Sequence, residues 1–126
     1  MAADKKIKIL LVDDFATMRH IIRKNLRQRG FTNIVEADDG ATAVAVLQQE
    51  KIELIISDWQ MPKMNGLELL KHVRGHDATS AIPFILLISE AQQEEISQGV
   101  TARVNQYIVK PFTAETLGEK LDKIFT

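Results

Sequence analysis

Short apolar runs alternate five times with stretches whose apolar residues recur at helical spacing, and this alternation constrains the fold more than any other feature of the chain. Ile7 to Val12 reads as a buried strand ending at Asp13-Asp14. From Phe15 to Arg29, residues Met18, Ile21, Ile22 and Leu26 form one apolar helical stripe, and Gly30 ends that helix. Asn33 to Ala37 is a short second strand, and Ala41 to Glu50 a second helix introduced by Asp38-Asp39-Gly40. Leu54 to Asp58 is the third strand. Pro62 and Gly66 then mark a turn, Asn65 can cap a helix from Gly66 to Arg74, and Gly75 stops it. After the polar loop from His76 to Ala81, Pro83 leads into a fourth strand, Phe84 to Ser89. A polar fourth helix is expected near Gln92 to Thr101. Gln106 to Val109 is the fifth strand, ending at Lys110-Pro111. The last helix starts at an N-cap Thr113 and carries Leu117, Leu121 and Ile124 on one face.

Strands that alternate with helices build a parallel sheet with right-handed crossovers and helices on both faces. The first, third and fourth strands are almost wholly apolar and belong in the centre, buried on both sides. The shorter, more polar second and fifth belong at the edges. The expected architecture is therefore a flavodoxin-like, doubly wound α/β fold: a five-stranded parallel sheet of order 2-1-3-4-5 with five helices. No repeat or linker interrupts residues 1–126, so a single domain without an attached effector is expected.

Composition narrows the function. A net charge of −1 argues against a protein built mainly to neutralise nucleic acid or coat an anionic membrane. The absence of cysteine removes disulfides, thiolate nucleophiles and Cys-ligated zinc, and fits a reducing compartment. The amino terminus runs into a strand with no signal-peptide pattern, and no apolar run reaches membrane-spanning length. A cytoplasmic protein is expected.

In the order 2-1-3-4-5 the first and third strands are neighbours, so Asp13, Asp14 and Asp58 converge at one edge of the sheet, with Lys110 arriving from the fifth strand. Such an edge is where open α/β sheets bind ligands. Each residue also has an ordinary explanation: Asp58 can cap a turn, one of the paired aspartates can start a helix, and Lys110 can be a solvated loop lysine. Alone, Asp58 fits either role. Together, three carboxylates raise one another's pKa unless a cation neutralises them. An all-oxygen cluster without cysteine or a well-placed histidine suits a hard ion, Mg²⁺ above all. A lysine opposite then suits phosphoryl transfer to an Asp58 oxygen, giving an acyl phosphate.

The chain resembles bacterial receiver domains of two-component signalling, of the chemotaxis type. The resemblance rests on Val12-Asp13-Asp14-Phe15, Thr17-Met18-Arg19, Ser57-Asp58-Trp59, Met61-Pro62, Gly66-Leu67-Glu68-Leu69-Leu70-Lys71, Lys110-Pro111-Phe112-Thr113-Ala114 and Glu119-Lys120-Leu121, spread from end to end. It implies that Asp58 is the phosphoacceptor, that Asp13, Asp14, Asp58 and the Gln60 main-chain carbonyl hold Mg²⁺, and that Lys110 contacts the phosphoryl group. It also implies a cis Lys110-Pro111 bond turning the lysine toward the site, and Tyr107 as the switch aromatic of the fifth strand. Tyr107 equally suits an edge-strand aromatic covering apolar neighbours. The implied partners are a histidine kinase as donor, the flagellar motor switch protein as target and a phosphatase, with the chain acting as a monomer.

The chain departs from this pattern in two places. Receivers carry a threonine or serine at the end of the fourth strand. A gapless match puts Ile88 there and Ser89 one residue later. Because successive strand residues face opposite sides, Ser89 is expected to supply the switch hydroxyl only if the strand slips or bulges, and otherwise to start the next helix. Relatives also have glycines in the turn after the fourth helix, where this chain has Arg103 and Gln106. Gly99, Val100 and Thr101 weaken that helix, and its start, Glu90 to Glu95, lacks the usual lysines. The output face is thus more acidic, and a phosphate sink or pseudo-receiver that does not bind the motor is the alternative. A phosphatase turning over through an aspartyl-phosphate would need an acid/base aspartate where Gln60 stands. His72 and His76, and the basic first helix with Arg19, Arg23, Lys24, Arg27 and Arg29, read as solvated surface. Trp59 reads as a reporter beside Asp58.

Overall fold

The structure, a computed structural model, describes residues 5–95 and 103–125. Strands β1 (Ile9–Val12), β2 (Ile34–Ala37), β3 (Leu54–Asp58), β4 (Phe84–Ile88) and β5 (Gln106–Val109) form one parallel sheet of order β2-β1-β3-β4-β5. The three central strands are buried along their whole length, whereas β2 and β5 are partly exposed. Residues apolar on both faces of a strand can be covered only by helices on both sides, and this places β1, β3 and β4 centrally.

Among the described residues, four α-helices cover the sheet: α1 (Ala16–Gln28), α2 (Gly40–Gln49), α3 (Gly66–Arg74) and α4 (Ala114–Phe125). Alternation along the strands divides the core. Leu10, Val12, Ile55, Leu86 and Ile88 pack with Ala43 of α2 and with Leu67, Leu70 and Val73 of α3. Ile9, Leu11, Leu54, Ile56, Ile85, Leu87 and Ile108 pack with Ile22 and Leu26 of α1 and with Leu117 and Leu121 of α4. Between β4 and β5 a 3-10 turn, Glu90–Glu95, stands where the fourth helix was expected to begin. The rest of that expected helix, with Gly99, Val100 and Thr101, lies outside the described residues.

Local chemistry sets the boundaries. Gly30 follows α1 with φ +94°, a conformation open to glycine and costly for other residues. Asn65 caps α3 in a reciprocal box: its side chain accepts the Glu68 amide at 2.8 Å and its own amide donates to Glu68 at 3.1 Å. Thr113 Oγ1 accepts the Thr116 amide at 3.1 Å at the start of α4. Arg103 takes φ 65°, in the left-handed region. Arg74, at the end of α3, secures that segment by donating to the carbonyls of Arg103 and Ile82 and to Asn105 Oδ1. Asn105 Oδ1 in turn accepts the Phe84 amide, which fixes the start of β4 beside the lead into β5.

Candidate functional site

Parallel register brings the carboxyl ends of the strands level. Val12 pairs with Ser57, Asp58 with Leu87, and Ile88 with Val109, so Asp13, Asp58, Ser89 and Lys110 all emerge along one edge. Alternation then decides which side each faces. Asp13 follows Ile9 and Leu11, Asp58 follows Leu54 and Ile56, Ser89 follows Ile85 and Leu87, and Lys110 follows Ile108, all on the face covered by α1 and α4.

Asp58 is 2% exposed, and its Oδ1 accepts a hydrogen bond from Lys110 Nζ at 2.9 Å. The Lys110-Pro111 bond is cis. Asp13 is fully buried. One of its oxygens accepts the Phe15 amide at 2.9 Å, which accounts for a carboxylate at the start of α1. The other, Oδ2, is buried with no partner, which that role does not explain. Burial pushes the Asp13 carboxyl up to about 6; the charges of Asp58 and Asp14 push the same way, against the Phe15 amide and Lys110. Asp14 is exposed beside them. Carboxylate oxygens of Asp13, Asp14 and Asp58 lie within 4.8 Å of one another. An orphaned anionic oxygen in an all-carboxylate cluster matches the donor set of a hard divalent cation.

A cavity of about 220 Å³ opens over Asp58, lined by Asp14, Phe15, Asp58, Gln60, Ser89, Gln92 and Lys110. Ser89 reaches it without slip or bulge, since the β4–β5 register runs unbroken to Ile88. The strand need not distort because Ser89 already shares the face of Asp58, two residues beyond Leu87. Ile88 points the other way, fully buried with Val12 and Leu86. Tyr107 packs against that same opposite cluster, outside the cavity, with Lys120 Nζ 5.1 Å from its ring centre.

Sequence reasoning missed three contributors. Gln92 lines the cavity because the 3-10 turn folds it back toward Ser89. Arg19 donates to the Asp13 carbonyl, and Arg19 and Arg23 each pair with Glu36 of β2, so part of the basic helix face is structural. Gly66 lies so close to the end of β3 that a Cβ would sit 2.3 Å from the Asp58 carbonyl oxygen. His72 and His76 stack with ring centres 4.1 Å apart, and the described residues place no third ligand of carboxylate, thiol or imidazole type beside them.

A parallel sheet with an acidic cluster and a lysine at its carboxyl edge defines a class, and the family comparison agrees. The chain belongs to the response regulator receiver domain family, whose model matches residues 9–122. It is 49% identical over 122 residues to the chemotaxis protein CheY-3 of Vibrio cholerae, covering 97% of this chain and 94% of that protein. Its structure superposes on the chemotaxis response regulator CheY4 of Vibrio cholerae with TM-score 0.87 and 33% identity, over 94% of this chain and 98% of the other. It also matches the receiver domain of a sensor histidine kinase from Pseudomonas aeruginosa PAO1, which has a magnesium ion coordinated in its active-site cleft, with TM-score 0.83 and 26% identity over 94% and 96%. The chain is a response-regulator receiver similar to chemotaxis regulators, and such proteins are signalling regulators rather than metabolic enzymes. No helix among the described residues is long and apolar enough to cross a membrane.

Proposed function

We propose that the chain is a phosphorylation-switched, chemotaxis-type response regulator whose phosphoacceptor is Asp58. The observation that carries this reading is the buried Asp58 carboxylate held by Lys110 at 2.9 Å beside the unpartnered Asp13 oxygen. Asp13, Asp14, Asp58 and the main-chain carbonyl of Gln60 would hold Mg²⁺, as the related kinase receiver does in its own cleft. When bound, the ion supplies positive charge that offsets the carboxylates and the phosphoryl oxygens.

The residues of this chain do the rest. An Asp58 oxygen attacks phosphorus of a phosphohistidine on a partner histidine kinase, the P–N bond breaks, and the electron pair stays on the imidazole nitrogen, which takes up a proton. Lys110 holds the nucleophile in line and then meets the charge of the transferred group. The burial of Asp58 restricts water and so favours an adduct over turnover. Gln60 supplies no acid or base at the position a phosphatase would need. The modified site shifts the balance of two surface states around the 3-10 turn, β5 and α4, with Tyr107 as the switch aromatic, and so alters docking at the flagellar motor switch. The chain works as a cytoplasmic monomer, with a phosphatase ending the signal.

A second reading has its own observation. Ile88, where receivers carry a hydroxyl, is buried in the core on the side away from Asp58. Phosphorylation without motor binding, as in a phosphate sink, is consistent with that.

Acetyl phosphate with Mg²⁺ tests the chemistry. One phosphate should appear on the wild-type chain and none on Asp58→Asn, with a change in emission from Trp59, the residue next to the acceptor. Steady release of phosphate from monoesters without an adduct would refute the reading. Capture of the phosphorylated form by a motor-switch peptide would separate the regulator from the sink.

A further inference from the structure

We propose that Gln92 is a phosphoryl-contacting residue of this site, donating from its side-chain amide to the group carried on Asp58. The inference rests on the reading of Asp58 as phosphoacceptor. Gln92 and Asp58 line one cavity, together with Ser89 and Lys110. The Ser89 amide donates to Gln92 Oε1 at 2.8 Å, and the Gln92 amide donates to Ser89 Oγ at 3.3 Å. A backbone N–H can only donate, so the first bond fixes which end of the carboxamide is oxygen. The nitrogen end is therefore a neutral hydrogen-bond donor on the half-buried wall of a cavity whose other polar side chains include two carboxylates and one ammonium.

A phosphoryl group brings three strong acceptor oxygens into that space. Lys110 offers donors from the β5 side. On the β4 side the strand offers none, because Ile88 points into the opposite core. Donors from that direction come from just beyond the strand, the Ser89 hydroxyl and the Gln92 amide. Because Gln92 belongs to the Glu90–Glu95 turn, its contact would pass the state of Asp58 directly to that surface segment. The charge on Asp58 would then be read by a residue of the turn itself rather than by a hydroxyl on the strand.

Beryllofluoride with Mg²⁺, a mimic of the acyl phosphate, provides the probe on the full chain. In ¹⁵N spectra the Gln92 side-chain amide should shift when beryllofluoride is added to the Mg²⁺ form. Gln92→Ala should bind beryllofluoride about tenfold more weakly, the usual effect of losing one hydrogen bond to a charged group. Gln92→Glu keeps an acceptor for the Ser89 amide, and with it the turn, but replaces the donor with an anion. It should bind beryllofluoride more weakly than Gln92→Ala while Mg²⁺ affinity alone is undiminished. If Gln92 only caps the turn, Gln92→Glu will bind beryllofluoride as wild type does, and the inference falls. An unshifted amide overturns it too. A wild-type chain that takes neither beryllofluoride nor a phosphate adduct overturns the phosphoacceptor reading and this inference with it, whereas an adduct unaffected by either variant overturns the inference alone.

Discussion

Asp13 shows how one residue can serve two ends of the same carboxylate. Its Oδ1 starts α1 through the Phe15 amide, while Oδ2 is shut away from solvent without a partner. A buried unpaired anionic oxygen costs stability unless a cation meets it. Asp13→Asn keeps an oxygen for Phe15 and removes the charge. The metal-free variant is therefore expected to be more stable than wild type by roughly 1–3 kcal/mol, with weaker Mg²⁺ binding. Urea melts with and without Mg²⁺ measure both; a variant less stable without metal and unchanged in Mg²⁺ affinity would contradict the account. The pair Asp13-Asp14 was legible from the sequence as part of an acidic cluster, since two adjacent carboxylates exceed what a helix start needs. Which of the two is buried was not, because neighbours in sequence face opposite ways and only the tertiary structure makes Asp13 the inner one.

At the scale of elements, the end of β3 and the start of α3 are bound together. Gly66 donates to the Trp59 carbonyl at 2.7 Å, and a Cβ there would meet the Asp58 carbonyl at 2.3 Å and the Trp59 Cα at 2.8 Å. Neither contact is with a flexible side-chain end, so the backbone carrying Asp58 has to move. Gly66→Ala should cost about 1–3 kcal/mol and slow phosphorylation more than it weakens the fold. Denaturant melts alongside adduct formation from acetyl phosphate decide this: equal stability and equal rate would show the turn to be slack. The β–α alternation and the caps Asn65 and Thr113 were readable because each depends on residues close in sequence. The choice between Ile88 and Ser89 stayed open in the sequence. Alternation separates the two residues, but which of them shares the site's face is set by Asp58 on another strand. The expected fourth helix begins as a 3-10 turn in which Ser89 and Gln92 bond each other, a local pairing that periodicity does not reveal.

For the whole molecule, the raised pKa of Asp13 makes folding sensitive to pH. Its folded value of about 6 lies above its ordinary 3.8, so between those limits the folded state binds more proton than the unfolded one. Stability of the metal-free protein from this group should thus fall as pH rises from about 4 to 6, by roughly 3 kcal/mol at most, and level off above that. Mg²⁺ should restore the loss above pH 6, where the carboxylate is free to bind it. Melting temperatures across this range, with Asp13→Asn as the control that lacks this group, provide the check; a metal-free wild-type curve parallel to that of the variant from pH 4 to 6 would refute it. Apolar periodicity alone determined the sheet, its strand order and the helices that flank it, because burial of strands on both faces leaves few topologies open. The residue types likewise singled out the carboxylates and the lysine that the structure brings together. Only the tertiary structure decided which oxygen is left without a partner, that Ser89 rather than Ile88 shares the face of Asp58, and that Gln92 lines the cavity. The first two depend on how strands distant in sequence come together, which no local pattern encodes, and the last on the pairing of Ser89 with Gln92 in the 3-10 turn.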